Sequence, residues 1–118
     1  MKKFPVKIGF VLISILAFSN TTFAFTDIKS DSLDYMYKMK IIDGYADGTF
    51  GPKLKINRAE LVKMIMNAAG QKVMVGEKNC FNDVHEEWFA EYVCTAKEKG
   101  WIEGYADGSF KPGNSVNR

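Results

Sequence analysis

Ile42-Asp43-Gly44-Tyr45-Ala46-Asp47-Gly48-Thr49-Phe50 returns as Ile102-Glu103-Gly104-Tyr105-Ala106-Asp107-Gly108-Ser109-Phe110, a spacing of 60 residues. The same offset pairs Pro52 with Pro112, Ile56 with Val116, Asn57 with Asn117 and Arg58 with Arg118. Upstream, Phe25-Thr26-Asp27-Ile28 is answered by Phe81-Asn82-Asp83-Val84, but at an offset of 56, so repeat one lacks four residues ahead of its first helix. Recurrence at a fixed period is the mark of tandem supersecondary units that bury their apolar faces against one another.

Each unit reads as a helix, a glycine-rich turn and a second helix, which gives a mainly α fold. Leu33, Met36, Tyr37 and Ile41 fall at helical spacing in repeat one, as do Trp88, Tyr92, Val93 and Ala96 in repeat two, predicting first helices of about three turns. Gly44 and Gly100 are expected to release the chain from these helices, since glycine takes the left-handed conformation without steric cost. The second helix of repeat one has a legible start. Asn57 can cap the backbone amides, Glu60 can reach back to the cap, and Ile56 can pack on Leu61. Leu61, Met64, Ile65, Ala68 and Ala69 are the expected apolar stripe, and Gly70 the expected end. Residues 71–79 read as the connection between repeats.

The Asp47-Gly48 and Asp107-Gly108 pairs are expected to build tight turns, with glycine supplying positive φ and aspartate bonding local amides. Asp43, Asp47 and Gly48 bear a loose likeness to a calcium loop. The likeness fails because Tyr45 and Leu54 stand where such a loop needs oxygen ligands.

The first segment differs from the rest. Lys2, Lys3 and Lys7 lead into an uncharged apolar run over residues 8–18, followed by Thr22-Phe23-Ala24. This is the layout of a secretion signal, with cleavage expected after Ala24. The run is about half the roughly 20 residues that a membrane-spanning helix needs, so no membrane association is expected once the signal is removed. Without its three lysines the chain carries 13 basic against 14 acidic residues. No basic patch argues for nucleic acid. At 118 residues, 47% apolar and 25% charged, the chain has room for one ordinary domain or two very small ones, and none for a large enzyme core.

Export permits a disulfide between Cys80 and Cys94, the two cysteines of the chain, and closing a loop of about 15 residues would add roughly 3 kcal/mol. Two free buried thiols are the alternative. Two thiols and one imidazole make a zinc site improbable on spacing. His85 lies among Glu86 and Glu87 and is expected at the surface. Neither an activated nucleophile nor paired acids stand out, so no catalytic residue, metal or cofactor is assigned. Trp88, Phe89 and Trp101 are expected in the core first and as ligand platforms second, as are Tyr45 and Phe50.

The motifs Phe-x-Asp-[Ile/Val], Trp88-Phe89, Gly-Tyr-Ala-Asp-Gly-[Thr/Ser]-Phe-x-Pro and Ile56-Asn57-Arg58-Ala59-Glu60 resemble those of the S-layer homology family, over nearly all of residues 25–118. Asn57 stands where the family has threonine, and repeat one has no tryptophan ahead of its helix. The organisation expected is a signal peptide over residues 1–24, repeat one with its linker over 25–79, and an incomplete repeat two over 80–118, which stops directly after its own cap. The resemblance implies a secreted helical module held non-covalently at the cell surface, on cell-wall polysaccharide, with pyruvylated sugars as the usual ligand. Other S-layer proteins are possible partners. Two rival functions are self-assembly with surface proteins and anchorage of an enzyme whose catalytic domain lies elsewhere.

Arg58 is the residue that structure alone explains least. A cation in the first helical turn faces the positive end of the helix dipole, at a cost of a few tenths of a kcal/mol. An anion at the helix N-terminus would offset it, and the guanidinium fork suits a carboxylate. Pairing with a nearby Asp or Glu would do the same. The residues leave both open; the resemblance favours ligand binding, with Arg58 and Arg118 reading the acidic sugar and Asp47 and Asp107 as secondary contacts.

Overall fold

The computed structural model describes residues 22–116 and contains three helices: α1 (Asp31–Lys38), α2 (Arg58–Ala68) and α3 (Ala90–Glu98). Residues 1–21, which hold all but the last three of the expected leader, and Asn117–Arg118 lie outside the described residues. Among those described, no helix is long and apolar enough to cross a membrane. The first helices have eight and nine residues, shorter than the three turns expected. Ile41 lies beyond the left-handed residue that closes α1, and Trp88 lies in the turn closed by Ala90 N on Glu87 O ahead of α3, whose start has no side-chain cap.

All three helices close in the same way. The residue after the C-cap turns left-handed, its N–H bonds back to the carbonyl three residues earlier, and the next N–H bonds five back. In α2 this residue is Gly70 and in α3 Gly100, but in α1 it is Lys40, at φ 59°. Gly44, expected to end α1, has another task. A β-carbon there would stand 2.3 Å from Phe25 Cε1, and at Gly104 equally 2.3 Å from Phe81 Cε1. These glycines let the buried Phe25 and Phe81 lie against the backbone of the loops.

The two glycine loops are built alike. Tyr45 and Gly48 close a turn through a 3.0 Å bond, with Gly48 left-handed, and Tyr105 and Gly108 repeat it at 2.9 Å. Asp47 Oδ1 accepts from the amide and hydroxyl of Thr49 at 3.0 and 2.7 Å, and Asp107 Oδ1 does the same with Ser109. Asp27 and Asp83 each tie down the exit of their loop. Asp27 accepts from Phe50 N and Gly51 N, and Asp83 from Phe110 N and Lys111 N, all at 2.7–2.8 Å.

Packing does not respect the repeat boundary. Val62 and Met66 of α2 meet Val93, Cys94 and Ala96 of α3, with Phe81, Val84 and Phe110 completing one core. A buried side chain of this size contributes about 1.5–3 kcal/mol. The face of α2 turned inward is therefore Ala59, Val62 and Met66. The expected stripe is rotated away from it: Ile65, Ala68 and Ala69 are exposed, and Leu61 and Met64 half-buried. Apolar residues surround α2, so periodicity cannot choose among faces; α3 does. Trp88, Trp101 and Tyr45, expected in the core, are 57%, 45% and 44% exposed. By contrast α1 has no buried residue.

Cys80 and Cys94 form a disulfide, tying the start of repeat two to α3. In repeat one the counterparts by offset are Ala24 and Asp34, and Ala24 N donates to Asp34 Oδ1 at 2.7 Å. The same tie is covalent in one repeat and a hydrogen bond in the other. Residues 71–79 lie along α3, held by Met74 N on Thr95 Oγ1 and Gly76 N on Glu91 Oε1.

Two outcomes follow from this architecture. Gly104→Ala should cost about 1–3 kcal/mol by driving a methyl into Phe81, whereas Gly113→Ala, which meets nothing, should stay within about 0.5 kcal/mol by chemical denaturation. Bonds from the Phe50 amide hold Asp27 below its ordinary value of 3.8, and bonds from the Thr49 and Ser109 hydroxyls do so for Asp47 and Asp107. A depressed carboxylate stabilises the fold in full above its ordinary value and loses that contribution as pH falls through the lower folded value. The melting temperature should thus hold down to about pH 4 and drop below it, less steeply in Asp27→Asn/Asp107→Asn; a melting temperature indifferent to acid would refute this.

Candidate functional site

The first turn of α2 reaches across to the glycine loop of repeat two. Asn57 caps the helix, accepting from Glu60 N at 2.9 Å, while Glu60 Oε2 accepts from Asn57 N at 2.9 Å. This fixes the segment before α2 as extended chain, which pairs antiparallel with repeat two at Asn57 and Ser115. Val116 N donates to Ile56 O at 3.0 Å, Arg58 N to Asn114 O at 3.0 Å and Ala59 N to Pro112 O at 3.2 Å.

The Arg58 side chain completes the clasp. Its Nε donates to Phe110 O at 2.9 Å and its Nη2 to Glu103 O at 3.3 Å. The guanidinium lies 4.6 Å from the centre of the Phe110 ring and 5.2 Å from that of Tyr105. The acidic side chain considered as its partner is absent from these contacts; two backbone carbonyls take that place. These bonds engage two of the five N–H donors of a guanidinium.

Tyr105 is the hub of what Arg58 exposes. Its ring is 41% exposed and has a second cation on it, Lys111 Nζ at 4.2 Å, which also pairs with Asp107 at 3.7 Å. The structure therefore gathers Arg58, Tyr105, Asp107 and Lys111. From Tyr105 an open depression continues to Asn79, Asn82, His85 and Lys97. The exposed His85 ring meets Asn79 Oδ1 at 2.7 Å and Asn82 O at 3.1 Å, and Lys97 Nζ donates to Cys80 O. Asp47, with Gly48, belongs to the other loop and is bonded to Thr49. Arg118 lies outside the described residues.

Lys111 was not singled out by the sequence, although a signal was there. At the offset of 60 it stands opposite Gly51, which has φ +68°, and Lys111 holds φ 55°. The conformation costs a non-glycine residue of the order of 1 kcal/mol, and Lys40 and Asn79 adopt it as well. Lys63 was missed as well. It pairs with Asp43 at 2.5 Å and lies 5.5 Å from the Trp88 ring, beside a second hollow of about 420 Å³ bounded by the loop of repeat one, α2 and Trp88. Among the described residues no group of three acids, histidines or cysteines is placed to hold a metal.

The chain matches the model of the S-layer homology domain over residues 24–62 and 81–118. It is 32% identical, over 80% of its length, to an uncharacterized cell wall amidase of Bacillus anthracis, and 31% identical over 84% to a cellulosome-anchoring protein of Acetivibrio thermocellus. A surface layer protein of Brevibacillus choshinensis is 36% identical over 64% of the chain. The chain spans 18%, 24% and 7% of the lengths of these three relatives. With two matched segments, each containing one of the glycine loops described above, the chain belongs to the S-layer homology domain family.

Proposed function

We propose that this chain is a non-catalytic module that holds an exported protein at the cell surface by docking cell-wall polysaccharide, with an acidic, pyruvylated sugar as the recognised group. The observation that carries the reading is Tyr105, an exposed ring bracketed by Arg58 at 5.2 Å and Lys111 at 4.2 Å. The two cations that lie over this ring can be bridged by the carboxylate of an acidic sugar, with the exposed part of the ring beside it. The depression beyond it supplies amide, imidazole and ammonium groups for hydroxyls. Asp107 and Asp47 hold their loops in shape for this contact, and Arg118, the counterpart of Arg58 at the offset of 60, is a second reader of the acidic group.

Secretion by the leader, with cleavage after Ala24, would deliver the module to the surface, at the cost of the Ala24–Asp34 bond. A single contact of this kind is weak, and linked repeats would supply durable attachment by making later binding events intramolecular. Kinship with a cellulosome-anchoring protein supports the anchoring role, and kinship with a cell wall amidase fits attachment of a larger enzyme.

Retention of the exported chain on purified cell walls tests the proposal. Binding should vanish once the non-peptidoglycan polysaccharide is extracted. Tyr105→Ala and Lys111→Ala, both at exposed or half-exposed positions, should melt near wild type yet bind roughly tenfold less. Arg58→Ala should lose both binding and stability, since it also opens the clasp. Retention indifferent to extraction, or to both surface variants, would overturn the polysaccharide reading.

A further inference from the structure

Both repeats tie the residue before Phe-x-Asp to the helix that follows it. In repeat two the tie is the Cys80–Cys94 disulfide; in repeat one it is the 2.7 Å bond from Ala24 N to Asp34 Oδ1. Phe25, the next residue, is buried. Its ring centre lies 5.4 Å from those of Tyr37 and Phe50, and its edge lies against the backbone of Gly44. The Phe25 amide donates to no described residue. Asp34 is half-buried, and no lysine or arginine among the described residues pairs with it. A carboxylate with a single donor on it thus stands beside the Ala24–Phe25 peptide bond, the point at which the leader is expected to end.

Hydrolysis of that bond adds one water, leaving a carboxylate on the departing Ala24 and an ammonium on Phe25. Neighbouring backbone nitrogens are at most about 3.7 Å apart, so the new ammonium stands beside the position from which Ala24 N reached Asp34. A peptide N–H points in one fixed direction, whereas an ammonium carries three donors that rotate. We propose that signal removal replaces the Ala24 hydrogen bond with an ion pair, in which the α-ammonium of Phe25 docks on the Asp34 carboxylate. Asp31 and Asp34, both in the first turn of α1, offset the positive end of the helix dipole that this ammonium meets. The mature chain is then ordered from its first residue, whose side chain is buried and whose backbone is held by charge. Such a pair does not exist before cleavage, so repeat one gains its final tie only when the leader has gone. This inference rests on the leader and its cleavage site, and not on polysaccharide docking.

The chain secreted with its own leader tests it. N-terminal sequencing should return Phe25 as the first residue; another start, or an uncleaved chain, would overturn the inference. Chemical denaturation then compares the secreted chain, the same chain acetylated at its α-amine, and both forms with Asp34→Asn. Acetylation should raise the unfolding equilibrium constant roughly two- to fivefold with Asp34 present, and change it little with Asp34→Asn. An aminopeptidase should trim the Asp34→Asn chain faster than the wild type. Equal effects of acetylation with and without Asp34→Asn would sink the ion pair. So would a stabilising effect of Asp34 that survives acetylation but is lost with Lys29→Ala or Lys38→Ala, the basic residues that flank it in sequence. Cell-wall retention succeeds or fails independently of these outcomes.

Discussion

The bonds from Arg58 to the carbonyls of Phe110 and Glu103 fix which parts of this chain belong together in space. A guanidinium is a rigid planar fork, so two bonds and a ring beneath it set its position more firmly than an ammonium could. The helix that begins at Arg58 is thereby committed to repeat two, although it is encoded in repeat one. Its buried side chains, Ala59, Val62 and Met66, then find α3 rather than α1. Once α2 is placed, Phe110 is enclosed between Phe81 below and Arg58 above. The unit of sequence and the unit of packing are offset by half a repeat.

That offset accounts for the different burial of two helices of similar design. The ends of α1 and α3 close by the same bonds, and each is preceded by a Phe-x-Asp segment held on its loop. Yet α3 has five buried residues and α1 none. Nothing local separates them: α3 has α2 against it and a disulfide at its middle. Helices this short are marginal in water without tertiary contacts. In α1 the Ser30 cap and the edge-on contact of Tyr37 with Phe25 stand in for a core.

What could be read from sequence follows the same division. The capping box, the glycine turns and the ends of α2 and α3 were legible because each depends on residues within five positions of one another. The cysteine pair was legible because only one pairing exists. The inward face of α2 was not, since Ala59, Leu61, Val62, Met64, Ile65 and Met66 leave no polar side to define it and the partner decides. The closing residue of α1 was not, because Lys40 adopts the left-handed conformation that sequence assigns by default to glycine. The fate of Arg58 was only half legible. The dipole argument says that it needs compensation, but not that carbonyls more than forty residues away supply it.

The loops show why such a small module can present an aromatic surface at all. Tyr105 lies on a turn whose backbone is fixed by the Tyr105–Ser109 bond, by Asp107 from inside the turn and by Asp83 at its exit. A ring held on so constrained a segment loses little further freedom when something settles on it, which removes one of the main costs of association. A flexible loop with the same residues would offer the same contacts and a poorer net free energy. The left-handed Lys111 belongs to the same frame: Asp83 accepts from its amide, and its ammonium lies 4.2 Å from the centre of the Tyr105 ring. The carboxylates of the loops therefore shape this exposed surface as much as the cations that face outward do.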